Sequence, residues 1–372
     1  MSGPAAEGRA AATADVVCLG ESMVTFLPSQ PGRLADVPSF GRAIGGAESN
    51  VACALAAAGH RAKWVGRVGA DGFGDHLVDA IAAYGVDTSA VRRDPDRPTG
   101  IYFRTAADRA TGTHEVAYYR AGSAASVMSP ANLPYEDVLD TRILHLTGIT
   151  AALSADCLSL LRSLTEPRPD RPLISFDVNH RPHLWRAGDE GPGVLLDLAR
   201  RADLVFVGED EAEEAWGLRG ADAIREALPE PAVLVVKQGA EGATVFSARH
   251  PELRTGGPGA APSTSDTVTT VPALRVDVVA AVGAGDAFAA GFLSATLREL
   301  SVRDRVRHGH LMAAAVLTVP GDLTDPPARA HADELVALDD AAWGRLRLGP
   351  GWTAADRAGI DRSPAPQEVP AT

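Results

Sequence analysis

The chain has 372 residues, of which 45% are hydrophobic and 22% charged, so it can bury the core of one large α/β domain or of two smaller ones. Its net charge of -13 argues against a nucleic acid or an anionic membrane as a partner, because a surface that follows phosphate groups normally carries a basic excess. The three cysteines form no CxxC motif and no apolar run approaches the ~20 residues of a membrane span, so we expect a soluble cytoplasmic protein that acts on a small molecule.

Short apolar runs that are typical of buried strands recur along the chain, and helical stretches separate most of them. This alternation predicts a parallel, doubly wound α/β sheet. Gly59, Gly85 and Pro167 are natural terminators for three of the helices. Strands are predicted at residues 16–19, 64–68, 143–146, 173–176, 204–207 and 233–236, and helices at residues 49–58, 74–84 and 154–164.

Two further segments have a different character. Residues 100–105 and 114–120 are expected to be antiparallel strands joined by a polar turn, and they would form a small β-sheet lid. Residues 249–270 are rich in Gly, Pro, Ser and Thr, which predicts a flexible surface loop.

The predicted domain spans most of the chain. It covers residues 15–347, with lid strands inserted at about residues 22–44 and 98–120. We expect residues 1–14 to be a disordered lead-in and residues 348–372 to be a disordered tail.

The most informative segment is an apolar stretch from Val276 that we expect to be a strand, followed by Gly283-Ala284-Gly285-Asp286 and a helix. The small residues let backbone amides approach an anion, and the helix dipole would stabilise charge on a transferring phosphoryl group. A carboxylate at this position can accept a hydroxyl proton. The pattern therefore suits phosphoryl transfer, in which positioning and electrostatics carry most of the catalysis.

Taken alone, the same segment also fits two simpler roles. An Asp at a helix start is a common N-cap. Glycines before a helix also occur in dinucleotide-binding oxidoreductases, although here the third glycine and the acidic ribose ligand are absent at the expected spacing. A Walker A loop is excluded, because neither Lys63 nor Lys237 follows a glycine.

Two motifs together indicate a family. Gly283-Ala284-Gly285-Asp286-Ala287-Phe288 resembles the C-terminal signature of ribokinase-like (PfkB) sugar kinases, and Gly45-Gly46-Ala47 with Asn50 resembles their N-terminal signature. The similarity extends from about residue 16 to about residue 327. It implies a three-layer αβα fold with a β-sheet lid, ATP and Mg²⁺ as cosubstrates, and Asp286 as the catalytic base beside an anion hole at Gly283, Ala284 and Gly285.

The N-terminal glycines also have a physical interpretation. Without Cβ atoms, Gly45 and Gly46 let the backbone approach a polyol, and Asn50 can both donate and accept hydrogen bonds. A helix entry turn would account for the same glycines.

The resemblance assigns the nucleotide to a second region. Lys237, Gly239 and Gly242 follow a predicted strand and resemble the family's nucleotide-binding turn, and an ordinary strand-to-strand turn is the alternative. Asn179 is expected on the ATP side as well. The family's magnesium-associated Asn-x-x-Glu appears as Gly208-Glu209-Asp210-Glu211, so Glu211 matches as an indirect metal contact while the asparagine is missing.

The segments around residues 118–124 and 177–182 resemble 2-keto-3-deoxygluconate kinases. In an extended strand, Tyr118 and Arg120 share a face, and Arg181 follows a strand at the carboxyl edge of the sheet. Two arginines that converge on one pocket suit a carboxylate, because guanidinium binds it through a planar fork. The alternative is that Arg120 forms a surface ion pair and Arg181 caps a helix or contacts phosphate. Tyr102 resembles a further substrate contact, and a core position would account for it too.

The resemblance implies phosphorylation of 2-keto-3-deoxy-D-gluconate at its 6-hydroxyl. Fructokinase or ribokinase activity, a catalytically silent sugar-acid sensor and, more remotely, an NAD-dependent oxidoreductase are the alternatives, and a homo-oligomer is left open.

The segment before the C-terminal signature departs from the family. Relatives often place an Asp six residues before the catalytic Asp, where it helps to hold a monovalent cation. Ala280 and Ala281 stand there, so we expect no monovalent cation. Asp277 is not a substitute, because it is an odd number of positions away and would point to the opposite face of the expected strand.

Overall fold

The computed structural model describes residues 12–105, 115–185, 191–248 and 266–354. Its strands are β1 (Ala14–Leu19), β2 (Met23–Pro28), β3 (Phe40–Gly45), β4 (Ala62–Val65), β5 (Arg67–Gly69), β6 (Arg92–Asp94), β7 (Ile101–Arg104), β8 (Val116–Tyr119), β9 (Thr141–Thr147), β10 (Leu173–Asp177), β11 (Leu204–Gly208), β12 (Val233–Lys237), β13 (Gly242–Ser247), β14 (Thr267–Pro272), β15 (Arg275–Val276) and β16 (Arg347–Leu348).

Helices connect most of these strands. They are α1 (Ala47–Ala57), α2 (Gly72–Ala83), α3 (Tyr135–Leu139), α4 (Gly148–Ala151), α5 (Ala155–Leu164), α6 (Gly193–Arg200), α7 (Glu209–Trp216), α8 (Ala221–Ala227), α9 (Ala284–Leu297), α10 (Val302–Leu317), α11 (Arg329–Val336) and α12 (Asp340–Arg345). Short 3-10 turns cover Ala124–Val127 and Pro182–Leu184. In the described part of the chain, no helix is long and apolar enough to cross a bilayer.

The central sheet has eight strands in the order β14-β13-β12-β11-β10-β9-β1-β4. The six strands from β12 to β4 are parallel, and β13 and β14 join antiparallel. Alternating residues of β1 face opposite sides: Val16 and Cys18 pack under α1, α9 and α10, whereas Val17 and Leu19 pack under α5 and α6. Burial on both faces explains why these strands are apolar runs. The predicted three-layer αβα fold is confirmed.

The lid is a separate four-stranded sheet in the order β3-β2-β7-β8. Strands β7 and β8 pair antiparallel, as predicted, with Ile101 opposite Tyr119 and Arg104 opposite Val116. The turn predicted between them lies outside the described residues. A stacked pair, Phe26 and Phe103, with ring centroids 4.6 Å apart, packs β2 against β7.

The predicted helices are confirmed. Asp71 caps α2 by accepting from the N–H groups of Phe73 and Gly74, and Ser154 caps α5 by accepting from Cys157.

Three predictions about strands and loops are wrong. The single strand at residues 64–68 is divided at Gly66 between β4 in the central sheet and β5, which pairs with β6. Part of the expected loop at 249–270 is β14, whose β-branched residues 267–271 pair with β13; residues 249–265 lie outside the described residues. The stretch expected to lead as a strand into Gly283 is a strand only at β15, and Val278 is 59% exposed beyond it.

The regular elements begin and end within one residue of the predicted domain boundaries. Ala14 is a buried residue of β1, and Leu348 pairs with Val276 across β15 and β16.

Candidate active site

Helix α9 begins at the glycine-rich motif. Gly283, its N-cap, has φ of 78°, and a Cβ there would lie 2.7 Å from the carbonyl oxygen of Asp322, so both the backbone angle and the space require glycine. The first backbone N–H groups of a helix have no intrahelical partners, and here they open onto a cleft of about 1230 Å³. This end of α9 can therefore bind an anion.

Asp286 lies in the first turn of α9. Asn50 Nδ2 donates to its Oδ2 atom over 2.9 Å, which joins the two predicted signature motifs across 236 positions of sequence. Burial raises the pKa of Asp286 to about 7, and Asp177 adds to the rise, while Asn50, Arg181 and Lys237 oppose it. A carboxyl group that titrates near neutral pH is suited to act as a general base.

Lys237 lies beside this carboxylate at the carboxyl edge of the central sheet. Its Nζ atom is 3.0 and 3.1 Å from the two carboxylate oxygens of Asp177, at the end of β10. Burial opposes the charged form, yet Asp177, Glu211 and Asp286 raise the pKa of Lys237 above its usual value. The ammonium group therefore stays charged, and it is 3.6 Å from where a Cβ on Gly285 would lie.

All the residues predicted to act in the site line this one cleft. They are Gly45, Gly46, Ala47, Asn50, Tyr102, Tyr118, Arg120, Asn179, Arg181, Glu211, Lys237, Gly239, Gly242, Gly283, Ala284, Gly285 and Asp286.

The N-terminal glycines are required by packing. A Cβ on Gly45 would lie 2.3 Å from the Tyr102 hydroxyl, and one on Gly46 would lie 2.5 Å from the carbonyl oxygen of Glu21. Gly46 is also the N-cap of α1, which is the helix entry turn considered for these glycines. Close packing of Gly45 against Tyr102 in β7, and of Gly46 against the backbone of Glu21, thus accounts for both glycines.

The nucleotide-side glycines form the hairpin turn between β12 and β13. The N–H of Gln238 donates to the carbonyl of Gly242 over 2.9 Å, and a Cβ on Gly242 would lie 2.2 Å from the carbonyl oxygen of Val271. Gly239 has φ of 56°. The turn is therefore an ordinary strand-to-strand turn that also lines the cleft.

The two arginines predicted to bind a carboxylate each already face an acidic side chain. Arg120, 9% exposed, is paired with Glu21, whose fully buried side chain also accepts from Ser123 Oγ over 2.6 Å. Arg181 is 43% exposed and its Nη1 atom is 3.5 Å from Glu211. The surface ion pair considered for Arg120 is thus a buried one, and Arg181 is the less constrained guanidinium.

Glu211 is held by the backbone of its own helix. Its Oε2 atom accepts from the N–H of Gly208 over 2.9 Å, which is the acidic half of a capping box at the start of α7. In the described ranges, no cluster of three or more His, Cys, Asp or Glu side chains is arranged to hold a metal ion.

Two asparagines that line the cleft leave hydrogen-bonding capacity unused. Asn179 has φ of 41°, a left-handed angle that asparagine tolerates, and its buried Oδ1 atom has no partner among the described residues. The same holds for Asn50 Oδ1. Buried amide oxygens without partners are suited to accept hydrogen bonds from a bound ligand.

An aromatic stack joins the lid to the core. The ring centroid of Tyr118, in β8, lies 5.4 Å from that of Tyr102 and 5.1 Å from that of His183, with which it is nearly parallel. The sequence alone marks His183 only as a loop residue. Its position two residues after Arg181 is the one signal that could have pointed to the cleft.

One acidic residue that lines the cleft is not predicted from the sequence. Asp322, in the loop after α10, accepts from Arg104 Nη2 over 2.7 Å and from the Tyr102 hydroxyl over 3.1 Å. Arg104 could have been found, because it lies two positions after Tyr102 and shares its face of β7. Asp322 is distant in sequence from every motif.

Comparisons with known proteins agree with this geometry. The pattern of the pfkB family carbohydrate kinases matches residues 13–329. A 2-dehydro-3-deoxygluconokinase of Bacillus subtilis (strain 168) is 36% identical over 318 residues, which cover 85% of this chain and 93% of that protein. A 2-dehydro-3-deoxygluconokinase of Thermoproteus tenax is 32% identical, and the match covers 89% of this chain and 99% of that protein.

Of two further relatives, one is named as a fructokinase and the other is named without a substrate. Probable fructokinase-6, chloroplastic, of Arabidopsis thaliana is 30% identical, with 81% of this chain and 75% of that protein covered. The crystal structure of a PfkB protein from Polaromonas sp. JS666 superposes with a TM-score of 0.72 at 33% identity and covers 88% of this chain and all of that one. The chain therefore belongs to the pfkB family of carbohydrate kinases.

Proposed function

We propose that the protein transfers the γ-phosphoryl group of ATP to the 6-hydroxyl of 2-keto-3-deoxy-D-gluconate (2-dehydro-3-deoxygluconate). The observation that carries the proposal is that Asp286, with a pKa of about 7, lines the same cleft as Arg120 and Arg181. A base for a hydroxyl and two guanidinium groups suit a substrate that has an alcohol at one end and a carboxylate at the other.

Asp286 acts as the base in this reaction. Its carboxylate accepts the proton of the 6-hydroxyl as the oxygen attacks phosphorus in line, and the bond from phosphorus to the β-γ bridging oxygen breaks to release ADP. The N–H groups at the start of α9 stabilise the negative charge on the transferring group. Asn50, bonded to Oδ2, fixes the rotamer of the base.

The ATP phosphates would lie between the start of α9 and the turn after β12. Lys237 supplies a positive charge there, and Gly239, Gly242, Gly283 and Gly285 leave room for the nucleotide. Asn179 would contact the nucleotide through its unpartnered Oδ1 atom. Mg²⁺, when bound with ATP, neutralises phosphate charge. Glu211 lines the cleft, and its Oε1 atom, 3.5 Å from Arg181 Nη1, would make the indirect contact through water.

The sugar acid would lie under the lid. Gly45, Gly46, Ala47 and Asn50 line this part of the cleft together with Tyr102 and Tyr118. Arg181 is the principal carboxylate ligand in this arrangement, because Arg120 is already neutralised by Glu21. Arg120 contributes its remaining N–H groups and its stacking against Tyr118, 5.8 Å from the ring centroid.

A neutral sugar is the second candidate substrate. Because Arg120 is paired with the buried Glu21, its charge is already neutralised, and this weakens the case for a substrate carboxylate. A fructokinase also stands among the relatives. Fructokinase activity is therefore the activity against which the proposal is tested.

The test is the product of a single incubation with ATP, Mg²⁺ and 2-keto-3-deoxy-D-gluconate, analysed by phosphorus and carbon NMR. We expect a new phosphate monoester with coupling to C6. A parallel incubation with fructose serves as the comparison. A monoester formed only from fructose would replace the proposal by fructokinase activity, and binding of the sugar acid without any ester would indicate a silent sensor.

A further inference from the structure

A buried ion pair joins the lid to the loop after α10. Arg104, at the end of β7, is 6% exposed, and Asp322 is 7% exposed. One guanidinium nitrogen, Nη2, donates to Asp322 Oδ1 over 2.7 Å and to the carbonyl of Pro320 over 3.2 Å. The other carboxylate oxygen accepts from the Tyr102 hydroxyl. Both oxygens of Asp322 are therefore held by lid residues.

The same aspartate is in contact with both signature motifs. A Cβ on Gly45 would lie 3.0 Å from Asp322 Oδ2, and a Cβ on Gly283 would lie 2.7 Å from the Asp322 carbonyl oxygen and 3.1 Å from its Cα. Asp322 thus packs its side chain against the N-terminal motif and its backbone against the N-cap of α9. A displacement of Asp322 would therefore change the packing at both Gly45 and Gly283.

Charge makes the position of Asp322 depend on Arg104. Burial raises the pKa of Asp322, and Arg104 and the Tyr102 hydroxyl counteract that rise. Without the guanidinium, the carboxylate would be an unpaired charge in a buried site and would have to protonate or move. Arg104 therefore fixes both the charge and the place of Asp322.

We propose that Arg104 is a positioning residue for phosphoryl transfer, which holds Asp322 between the lid, Gly45 and Gly283 and so aligns the substrate end of the cleft with the anion hole. The inference rests on the sugar kinase reaction and applies to whichever sugar is phosphorylated. Arg104 itself takes no part in proton transfer.

The experiment compares Arg104→Met, Asp322→Asn and the double variant with the wild-type enzyme. Turnover and KM for sugar and for ATP are measured with the sugar that gives the highest rate, and thermal stability is measured in parallel. We expect Arg104→Met to lower kcat by about 10- to 100-fold with little change in KM for ATP, because small displacements of reacting groups are costly. It should also be less stable, because it leaves a buried carboxylate unpaired.

The double variant separates alignment from folding. It removes both charges, so we expect its melting temperature to recover toward that of the wild type, while kcat stays low. Recovery of kcat together with stability would show that the pair is only structural and would overturn the inference.

A control variant removes a partly buried ion pair outside the cleft. Arg171 is paired with Asp203, 2.8 Å between Nη2 and Oδ1, and neither residue lines the cleft. Arg171→Met should lose stability and keep kcat per folded molecule. If Arg104→Met behaves in the same way, the inference is wrong.

A milder variant covers the case in which Arg104→Met does not fold. Arg104→Lys keeps the charge and loses the planar fork, so we expect a folded enzyme with a reduced kcat. Wild-type rates from Arg104→Lys would contradict the inference. Wild-type turnover on a neutral sugar alone would overturn the proposed substrate and still allow these variants to decide the role of Arg104.

Discussion

The two ends of the cleft differ in how their charged side chains are paired. At the α9 end, Asp286 has an amide as its hydrogen-bonding partner, and its pKa is raised to about 7. At the lid end, Arg104 and Arg120 are each paired with a buried carboxylate. The first arrangement leaves a group ready to exchange a proton, whereas the second fixes side chains in place. Chemistry and positioning are thus assigned to different elements of the fold.

The largest effect is expected at the α9 end. Asp286→Asn should lower kcat by about 10²- to 10⁴-fold, because the amide cannot accept the hydroxyl proton. Binding of ATP, measured by calorimetry, should be nearly unchanged. The exposed Asp222→Asn variant, in the first turn of α8, is the control and should retain full turnover. Near-normal turnover of Asp286→Asn would remove Asp286 from the mechanism.

The pH dependence of the rate should report the same group. The base must be ionised, so we expect kcat/KM to fall as the pH drops through about 7, by about tenfold per pH unit on the acid side. Initial rates between about pH 5 and 9 in buffers of constant ionic strength would show this limb. A flat profile across the acid side would mean that Asp286 does not titrate where its surroundings indicate.

Stability provides an independent check on that pKa. The folded-state pKa of Asp286 lies above the ordinary value of 3.8, so the folded state binds more protons between these two values and the carboxylate costs stability as the pH rises through this window. Asp286→Asn removes that cost. Its melting temperature should exceed that of the wild type above the folded-state pKa, at about pH 8, and the difference should vanish near about pH 4. An equal difference at both pH values would refute this assignment.

A smaller effect is expected from the two arginines proposed to bind the carboxylate. Arg181→Gln should raise KM for the sugar acid by about tenfold and leave KM for fructose nearly unchanged, because the lost interaction is with a carboxylate. For Arg120, the informative variant also carries Glu21→Gln, so that no buried charge is left unpaired. The exposed Arg219→Gln variant is the control. Equal changes in KM for both sugars would favour fructokinase activity.

The smallest effect concerns monovalent cations. Ala280 and Ala281 offer no side-chain oxygen, and the nearby carboxylate of Asp277 is already 2.6 Å from Arg347. The alternation expected of a strand does not apply to Asp277, because residues 277–283 are not a strand, and the ion pair is what occupies its carboxylate. We expect equal initial rates in KCl and in tetramethylammonium chloride at the same ionic strength. Several-fold activation by K⁺ would indicate that backbone carbonyls hold the ion.

The sequence is informative where local chemistry decides the structure. Apolar runs predict the parallel strands, and terminator residues predict three helices. The glycine-rich motif predicts the start of α9. The structure shows why Gly283 is glycine: its φ is positive and it packs closely against the backbone of Asp322. A Gly, Pro, Ser and Thr-rich composition conceals β14, whose strand is defined by its pairing with β13.

Long-range pairs are beyond the reach of the sequence. The sequence identifies Arg120 as a candidate binding residue. It does not identify Glu21 as the partner of Arg120, because the two residues are far apart in the chain and the fold brings them together. Asp322 is missed for the same reason, since Arg104 lies 218 positions away. The amino-acid sequence alone shows which residues are chemically suited to a binding site. It does not show which of these charged side chains are paired with an opposite charge in the folded protein.

The most direct test of the proposed function is the specificity of the wild-type enzyme in a coupled assay of ADP release. The substrates are 2-keto-3-deoxy-D-gluconate, gluconate, fructose and ribose, each with ATP and Mg²⁺, and Asp286→Asn provides the blank. We predict the highest kcat/KM for 2-keto-3-deoxy-D-gluconate and no release above background from the variant. A higher kcat/KM for fructose or ribose, or sugar-dependent release by Asp286→Asn, would contradict this function.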